Sequence, residues 1–157
     1  MSRDALQTYL NDHLAGSVMA IELGERTIRE NEGGPVAARL SPLVKQIRED
    51  QTVLKGVIER LGTGESSLKK AGAWLAEKAG RVKLGGTDEP GDLSRLEVLE
   101  MLTTGVHGKR ALWRALRVVA VRYEELRGLD LDLLERRAAE QHDELEAMRL
   151  EAAKAAL

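Results

Sequence analysis

The 157-residue chain contains no cysteine and no phenylalanine, and aromatic residues make up only 3% of it. Without cysteine, the chain cannot form disulfides, thiolate metal sites or a cysteine nucleophile. Because aromatic side chains are so scarce, a core has to be built from leucine, valine, isoleucine and alanine. There are only three prolines, and alanine, glutamate, leucine and arginine are frequent, which favours helices packed on helices over a β-sheet.

Long apolar runs and a strong excess of charge are also missing. No run approaches the ~20 residues that would span a bilayer, and the N-terminus lacks the layout of a signal peptide. The formal net charge of −2 gives no general reason for binding to nucleic acid or to an anionic membrane. The one basic stretch, residues 69–83, is interpreted as a solvated part of a connection. We therefore expect one cytoplasmic domain over residues 1–157, without a membrane or nucleic-acid partner.

Four stretches carry the apolar spacing of amphipathic helices. The predicted helices are residues 5–29, 35–61, 92–126 and 133–157. Proline is favoured in the first turn of a helix, so the second helix has two alternative starts, at Pro35 or at Ser41-Pro42. Asp132 and Glu135 have the spacing of a capping box and predict where the fourth helix begins.

The lengths of the connections predict how the four helices run. Helices one and two are joined by a short turn, and so are helices three and four, so each pair is antiparallel. Helices two and three are separated by the crossover 62–92, which is long enough to travel the full length of the bundle. The sequence therefore predicts an all-α, up-down-down-up four-helix bundle with a long crossover that contains a short extra helix.

One lysine interrupts the apolar face of the third helix. On a helical wheel at about 100° per residue, Lys109 lies within the stripe formed by Leu99, Leu102, Val106 and Trp113. Placing an ammonium group among apolar side chains costs free energy unless the group reaches water or has a partner. We therefore expect a polar partner to face Lys109 from another helix.

Each of the other three helices also carries an inward polar residue at nearly the same height. With ~1.5 Å of rise per residue, His13 lies ~12 Å from the end where the first helix begins, and Asp50 lies ~16 Å from it. In the up-down-down-up arrangement, Lys109 and Gln141 both lie at ~14 Å. We therefore predict a buried polar layer in which Lys109 pairs with Asp50, while His13 and Gln141 satisfy the remaining hydrogen bonds. Two further residues at the edge of the fourth-helix face are expected to extend this layer: Arg137 and Glu144.

A layer of this kind is also where di-metal bundles hold their ions. They use a Glu from each of two helices and a Glu-x-x-His pair from each of the other two. Here the third residue after Asp50 is valine and the third after Gln141 is Glu144, so neither pair contains a histidine. Lys109 also places positive charge where cations would sit. We predict no cofactor, and the alternative is iron or manganese bound by His13, Asp50 and Glu144.

Four stretches of the chain carry a family resemblance: YLNDHLAGSVMAIEL (9–23), AWLAEKAGRVKLGG (73–86), GVHGKRALW (105–113) and QHDELEAMRLEAA (141–153). Together with the order of the helices, they resemble a group of uncharacterised bacterial proteins with a ferritin-like four-helix-bundle fold. The resemblance covers most of the chain. It implies a fold and no activity, and the chain departs from ferritins proper at the metal ligands.

No arrangement of serine, histidine and acidic residues has the spacing of a catalytic motif. We therefore expect a non-enzymatic interaction or structural module with a degenerate metal site. A second apolar strip on the first helix, formed by Ala15, Met19 and Leu23, predicts self-association into a homo-oligomer. Two alternatives stay open: a metal-binding ferritin-like protein with redox or oxygen chemistry, and a bundle that binds a small ligand at the polar layer.

Overall fold

The computed structural model describes residues 3–62 and 91–157. In these two ranges the chain forms four long helices and no strand: α1 (Arg3–Glu30), α2 (Pro35–Arg60), α3 (Asp92–Val119) and α4 (Leu131–Ala156). The prediction of an all-α protein with four helices is therefore confirmed. None of the helices in the described ranges combines the length and the apolar character needed to cross a membrane.

The first of the two alternative starts of α2 is the one adopted. Pro35 stands in the first turn, and Gly34 before it has an extended backbone. Pro42 lies inside the helix, and the Ser41 hydroxyl does not cap a helix start but donates to the Ala37 carbonyl at 2.6 Å. Proline is well suited to the first turn because its missing N–H would have no partner within the helix there.

The third helix is shorter than predicted. It ends at Val119, and two short 3-10 turns follow, Ala120–Arg122 and Glu124–Leu126. Between these turns Tyr123 has an extended backbone, with φ −127° and ψ 112°. Valine is a weak helix former, and the side chains of Val118 and Val121 are 77% and 94% exposed, so little packing holds a helix in this segment.

The fourth helix begins earlier than predicted, and the predicted capping box is wrong. Asp130 caps α4, because its carboxylate accepts a hydrogen bond from the backbone N–H of Leu133 at 2.9 Å. Asp132 and Glu135 instead bind the guanidinium of Arg117 on α3, at 2.6 Å and 2.9 Å. Aspartate occurs at both positions 130 and 132, and the capping-box spacing between Asp132 and Glu135 indicated Asp132 although Asp130 is the cap.

Two apolar clusters make up the core, one near each end of the bundle. The first joins the beginning of α1, the end of α2, the end of α3 and the beginning of α4, with members such as Leu10, Ile58, Trp113 and Ala138. The second joins the opposite ends of the same helices, with members such as Ile21, Leu40, Leu99 and Leu145. Helices α1 and α4 therefore run in one direction and α2 and α3 in the other. The short helix predicted within the crossover 62–92, and the basic stretch 69–83, lie outside the described residues.

The helices are not equally close to one another. Helix α1 packs along α2 and also along α3, and α3 packs along α4, whereas α2 and α4 approach each other less closely. Where α1 meets α2, a Cβ added to Gly24 would lie only 2.5 Å from the Cγ2 atom of Val44. Close packing of these two helices therefore requires glycine at position 24.

Candidate functional site

The polar layer lies between the two apolar clusters, and Lys109 is at its centre. The Lys109 ammonium donates to Asp50 Oδ2 at 2.5 Å and also to Gln141 Oε1. The Gln141 amide group donates in turn to Asp50 Oδ2 at 3.3 Å. Three of the four residues predicted to form the layer are thus brought together by helices α2, α3 and α4.

This group of three is almost completely removed from solvent. Asp50 and Gln141 are each 1% exposed, and the Lys109 side chain is 12% exposed. Burial lowers the pKa of Lys109 from its usual 10.5, while the adjacent Asp50 carboxylate raises it and the Arg137 guanidinium lowers it. Two oxygen acceptors lie within hydrogen-bond distance of Lys109 Nζ, which matches the donors of an ammonium group. Lys109 and Asp50 therefore form an ion pair in a low-dielectric setting.

Arg137 extends the layer toward the α2 side, as predicted for its position on α4. Its Nη2 atom donates to the Gln46 carbonyl at 3.1 Å and pairs with the Glu49 carboxylate. Its Nε atom is 3.4 Å from Asp50 Oδ1, although the two atoms do not make a hydrogen bond. The layer thus contains two cations and two carboxylates.

Two residues of the layer were not predicted from the sequence. The Gln46 side chain accepts from Gln141 Nε2 at 3.0 Å, and Glu49 pairs with Arg137. Gln46 stands four residues before Asp50 and therefore on the same side of α2, so a search one turn either side of Asp50 would have found it. Glu49 is half-exposed and carries no comparable signal.

Glu144 was expected in this layer, but it belongs to a different network. Its carboxylate accepts from Arg39 Nε at 2.8 Å, and Arg39 Nη1 also binds Glu151 at 2.7 Å. Arg39 lies near the beginning of α2, about three helical turns before Asp50. Glu144 lies nearly one turn beyond Gln141, which carries its carboxylate away from the layer and toward that end of the bundle.

His13 lies at the height of the layer but does not complete its hydrogen bonds. Among the described residues the ring makes no hydrogen bond, and it packs edge-on against Tyr9 with the ring centroids 4.7 Å apart. Partial burial lowers the pKa of His13 below 6.5, an effect that neighbouring Asp12 partly opposes. The connection between α1 and α2 at this height is made instead by Gln51 Nε2, which donates to Ser17 Oγ at 3.0 Å.

A cavity of about 230 Å³ opens beside the layer, between α1, α2 and α3. Its polar lining includes His13, Asp50 and Lys109. Gly16 on α1 and Gly108 on α3 also line it, and a Cβ added to either glycine would have no atom of the described residues within 4 Å. These glycines therefore do not serve close helix packing, as Gly24 does, but leave space next to the ion pair.

A second and larger hollow, of about 490 Å³, lies farther along the α1–α3 face and shares Gly16, Ala20 and Gly105 with the cavity. Met19 and Leu23 from the strip predicted to mediate self-association line this hollow, together with Met101, which is 43% exposed. Ala15 and Leu23 are buried within the chain itself, so most of the strip is already covered. Self-association stays a prediction, which sedimentation equilibrium would measure.

A metal centre needs several ligand side chains close together. In residues 3–62 and 91–157, no three histidine, aspartate or glutamate side chains are grouped in a way that could hold an ion. Of the three ligands considered in the alternative, Asp50 is bound to Lys109, Glu144 is bound to Arg39, and His13 contacts Tyr9.

Comparison of the chain with models of protein families, with curated proteins and with solved structures gave no significant match. Interpretation of the site therefore depends on its geometry.

Proposed function

We propose that this chain is a ferritin-like four-helix bundle whose central layer holds a lysine–aspartate ion pair in place of a di-metal centre. On this proposal it acts as a non-enzymatic interaction or structural module. The observation that carries the proposal is the Lys109 ammonium, which is 2.5 Å from Asp50 Oδ2 in the middle of the bundle. The direction of the four helices and the resemblance seen in the sequence support the ferritin-like part of it.

The ion pair bears on metal binding through its charge. A divalent ion bound to Asp50 would lie within a few ångströms of the Lys109 ammonium, and like charges at that distance repel strongly in a buried site. To make room for the ion, Lys109 would have to lose its proton or leave the layer. If Lys109 left the layer, its hydrogen bond to Gln141 would also be broken.

The proposal that the chain is not an enzyme is supported by the hydrogen bonds of its buried polar atoms. Lys109, Asp50 and Gln141 bind one another, and each is held by a neighbour on another helix. A general acid or base needs a proton-transfer partner on a substrate, whereas the partners that these groups have are one another. A metal-binding protein with redox or oxygen chemistry remains the competing proposal.

The two proposals differ in metal content. We expect protein produced without a histidine tag, in medium containing iron and manganese, to hold less than about one tenth of an equivalent of either metal by plasma emission spectrometry. A stoichiometric metal that is lost in Asp50→Ala would overturn the proposal. Asp132→Ala is the matched control, because the Asp132 side chain is 68% exposed and lies outside the layer.

A further inference from the structure

We propose that the 230 Å³ cavity between α1, α2 and α3 binds a small uncharged organic molecule, about the size of one aromatic ring, that presents a hydrogen-bond acceptor to Lys109 and Trp113. This inference goes beyond the proposed function, since it concerns the open side of the layer and not the replacement of metals. An empty cavity would leave the ion-pair proposal intact.

The volume of the cavity sets the size of the molecule. At about 230 Å³, the cavity is larger than the ~150 Å³ that accommodates benzene in an apolar protein interior. It is smaller than the ~300 Å³ at which sites for drug-sized ligands begin. One ring with a short polar substituent fits between these limits. The aliphatic side chains of the lining come mainly from α2 and α3: Ile47, Leu54, Val106 and Leu112.

Two hydrogen-bond donors in the lining are not used within residues 3–62 and 91–157. Lys109 has three N–H donors and gives two of them, to Asp50 and to Gln141. Trp113 is only 1% exposed, and its buried indole N–H has no hydrogen-bond partner in the part of the chain that the structure describes. A buried donor without a partner costs free energy, and native proteins leave few of them. An acceptor on a bound molecule would satisfy these donors.

The charges around the cavity favour an uncharged molecule over an anion. The two cations of the layer, Lys109 and Arg137, are already balanced by the carboxylates of Asp50 and Glu49. Asp12, which is exposed and also lines the cavity, adds negative charge at its rim. An anion would therefore lose its hydration without finding a free cation among the lining residues that the structure describes.

The glycines of the lining keep the cavity open. Gly108 of α3 stands directly before Lys109, and within the described ranges a side chain at this position would have no neighbour within 4 Å of its Cβ. Gly56, about one turn before the end of α2, also has no described atom within 4 Å of an added Cβ but does not line the cavity. Both glycines are half-buried. Comparing the same substitution at the two positions therefore distinguishes the effect of filling the cavity from the general effect of replacing a helical glycine.

The experiment is a titration of the wild-type protein with three probes, benzamide, toluene and benzoate, followed by the indole N–H resonance of Trp113. The chain has two tryptophans, and Trp74→Phe assigns the two resonances. We expect benzamide to shift the Trp113 resonance saturably and downfield, as a new hydrogen bond would, and to bind at least tenfold more tightly than either toluene or benzoate.

Variants then locate the binding. We expect Gly108→Leu to weaken benzamide binding at least tenfold, and Gly56→Leu to leave it within twofold of wild type. No saturable shift with any probe, equal binding of toluene, tighter binding of benzoate, or equal effects of the two leucine variants would each overturn the proposal. If either leucine variant fails to fold, the ranking of the three probes on the wild-type protein decides.

Discussion

The space next to the polar layer is filled differently on its two sides. On the side between α2 and α4, where the helices are farther apart, Arg137 reaches across to Gln46 and Glu49. On the side of the layer that faces α1, the layer borders a cavity, and Gly16, Gly105 and Gly108 are among the residues that line its wall. One side is filled with charged groups, while the other is left open.

The difference shows which contacts hold the buried lysine. Every hydrogen bond that Lys109 donates goes to α2 or α4, and α1 contributes none of them among the described residues. The α1 side can therefore change without leaving the charge of Asp50 unpaired. We expect stability to depend on the filled side and ligand binding to depend on the open side.

The largest effect is expected from Lys109→Met. This change leaves Asp50, which is 1% exposed, without its closest counter-charge, and breaking a buried ion pair by removing one partner costs about 3–5 kcal/mol. Chemical denaturation with circular dichroism would measure the loss. Lys55→Met, at an exposed position of α2, is the control and should change stability by less than about 0.5 kcal/mol. A loss as small as the control's would mean that the pair does not stabilise the layer.

A smaller effect is expected from Arg137→Met on the filled side. This variant loses the hydrogen bond to the Gln46 carbonyl and the ion pair with Glu49. Hydrogen bonds that involve charged groups contribute about 1.5–3 kcal/mol, and we expect a loss near the lower end because Glu49 is partly exposed. Arg136→Met, at the exposed neighbouring position, should be close to neutral in the same denaturation assay. Equal losses in the two variants would contradict the account of the filled side.

Glycine substitutions test the open side against the close packing of α1 on α2. Gly108→Ala should stabilise the protein by up to about 1 kcal/mol, because alanine is the better helix former and its Cβ meets no neighbour. Gly24→Ala should instead destabilise by about 1–3 kcal/mol, because its Cβ would collide with Val44. Melting temperatures that shift in the same direction in both variants would remove the distinction between these two glycines.

The smallest effect is a pH dependence that comes from His13. Because its pKa in the folded protein is below 6.5, the unfolded chain takes up a proton first as the pH falls. Stability is therefore lost as the pH decreases through and below 6.5. We expect His13→Gln to lose less stability than wild type between pH 7.5 and pH 5. An identical pH profile in wild type and His13→Gln would contradict the lowered pKa.

The meeting of Lys109, Asp50 and Gln141 could be anticipated because it depends on regular geometry. The angle and rise per residue of a helix place each of these residues on a face and at a height, and the lengths of the connections set the directions of the helices. The cost of burying a charge then indicates that Lys109 needs a partner. No knowledge of side-chain conformation enters these steps.

Other features depend on distances that the sequence does not set. Glu144 does not join the layer, because the long side chain of Arg39 on α2 places its guanidinium within ion-pair distance of the Glu144 carboxylate. His13 lies at the correct height, yet the space between α1 and α3 leaves it without a hydrogen bond to the ion pair. The cavity has the same origin, since glycine in a helix serves equally well for close packing, as at Gly24, and for an open wall, as at Gly108.

The most direct test of the central claim is the coupling between Lys109 and Asp50 in a double-mutant cycle. We expect Lys109→Met and Asp50→Leu each to destabilise the protein strongly. The variant that carries both changes should recover much of the loss, because two apolar side chains can replace a buried ion pair at little cost. Additive losses, with no recovery in the denaturation midpoint of the double variant, would mean that these two residues are not partners at the centre of the bundle.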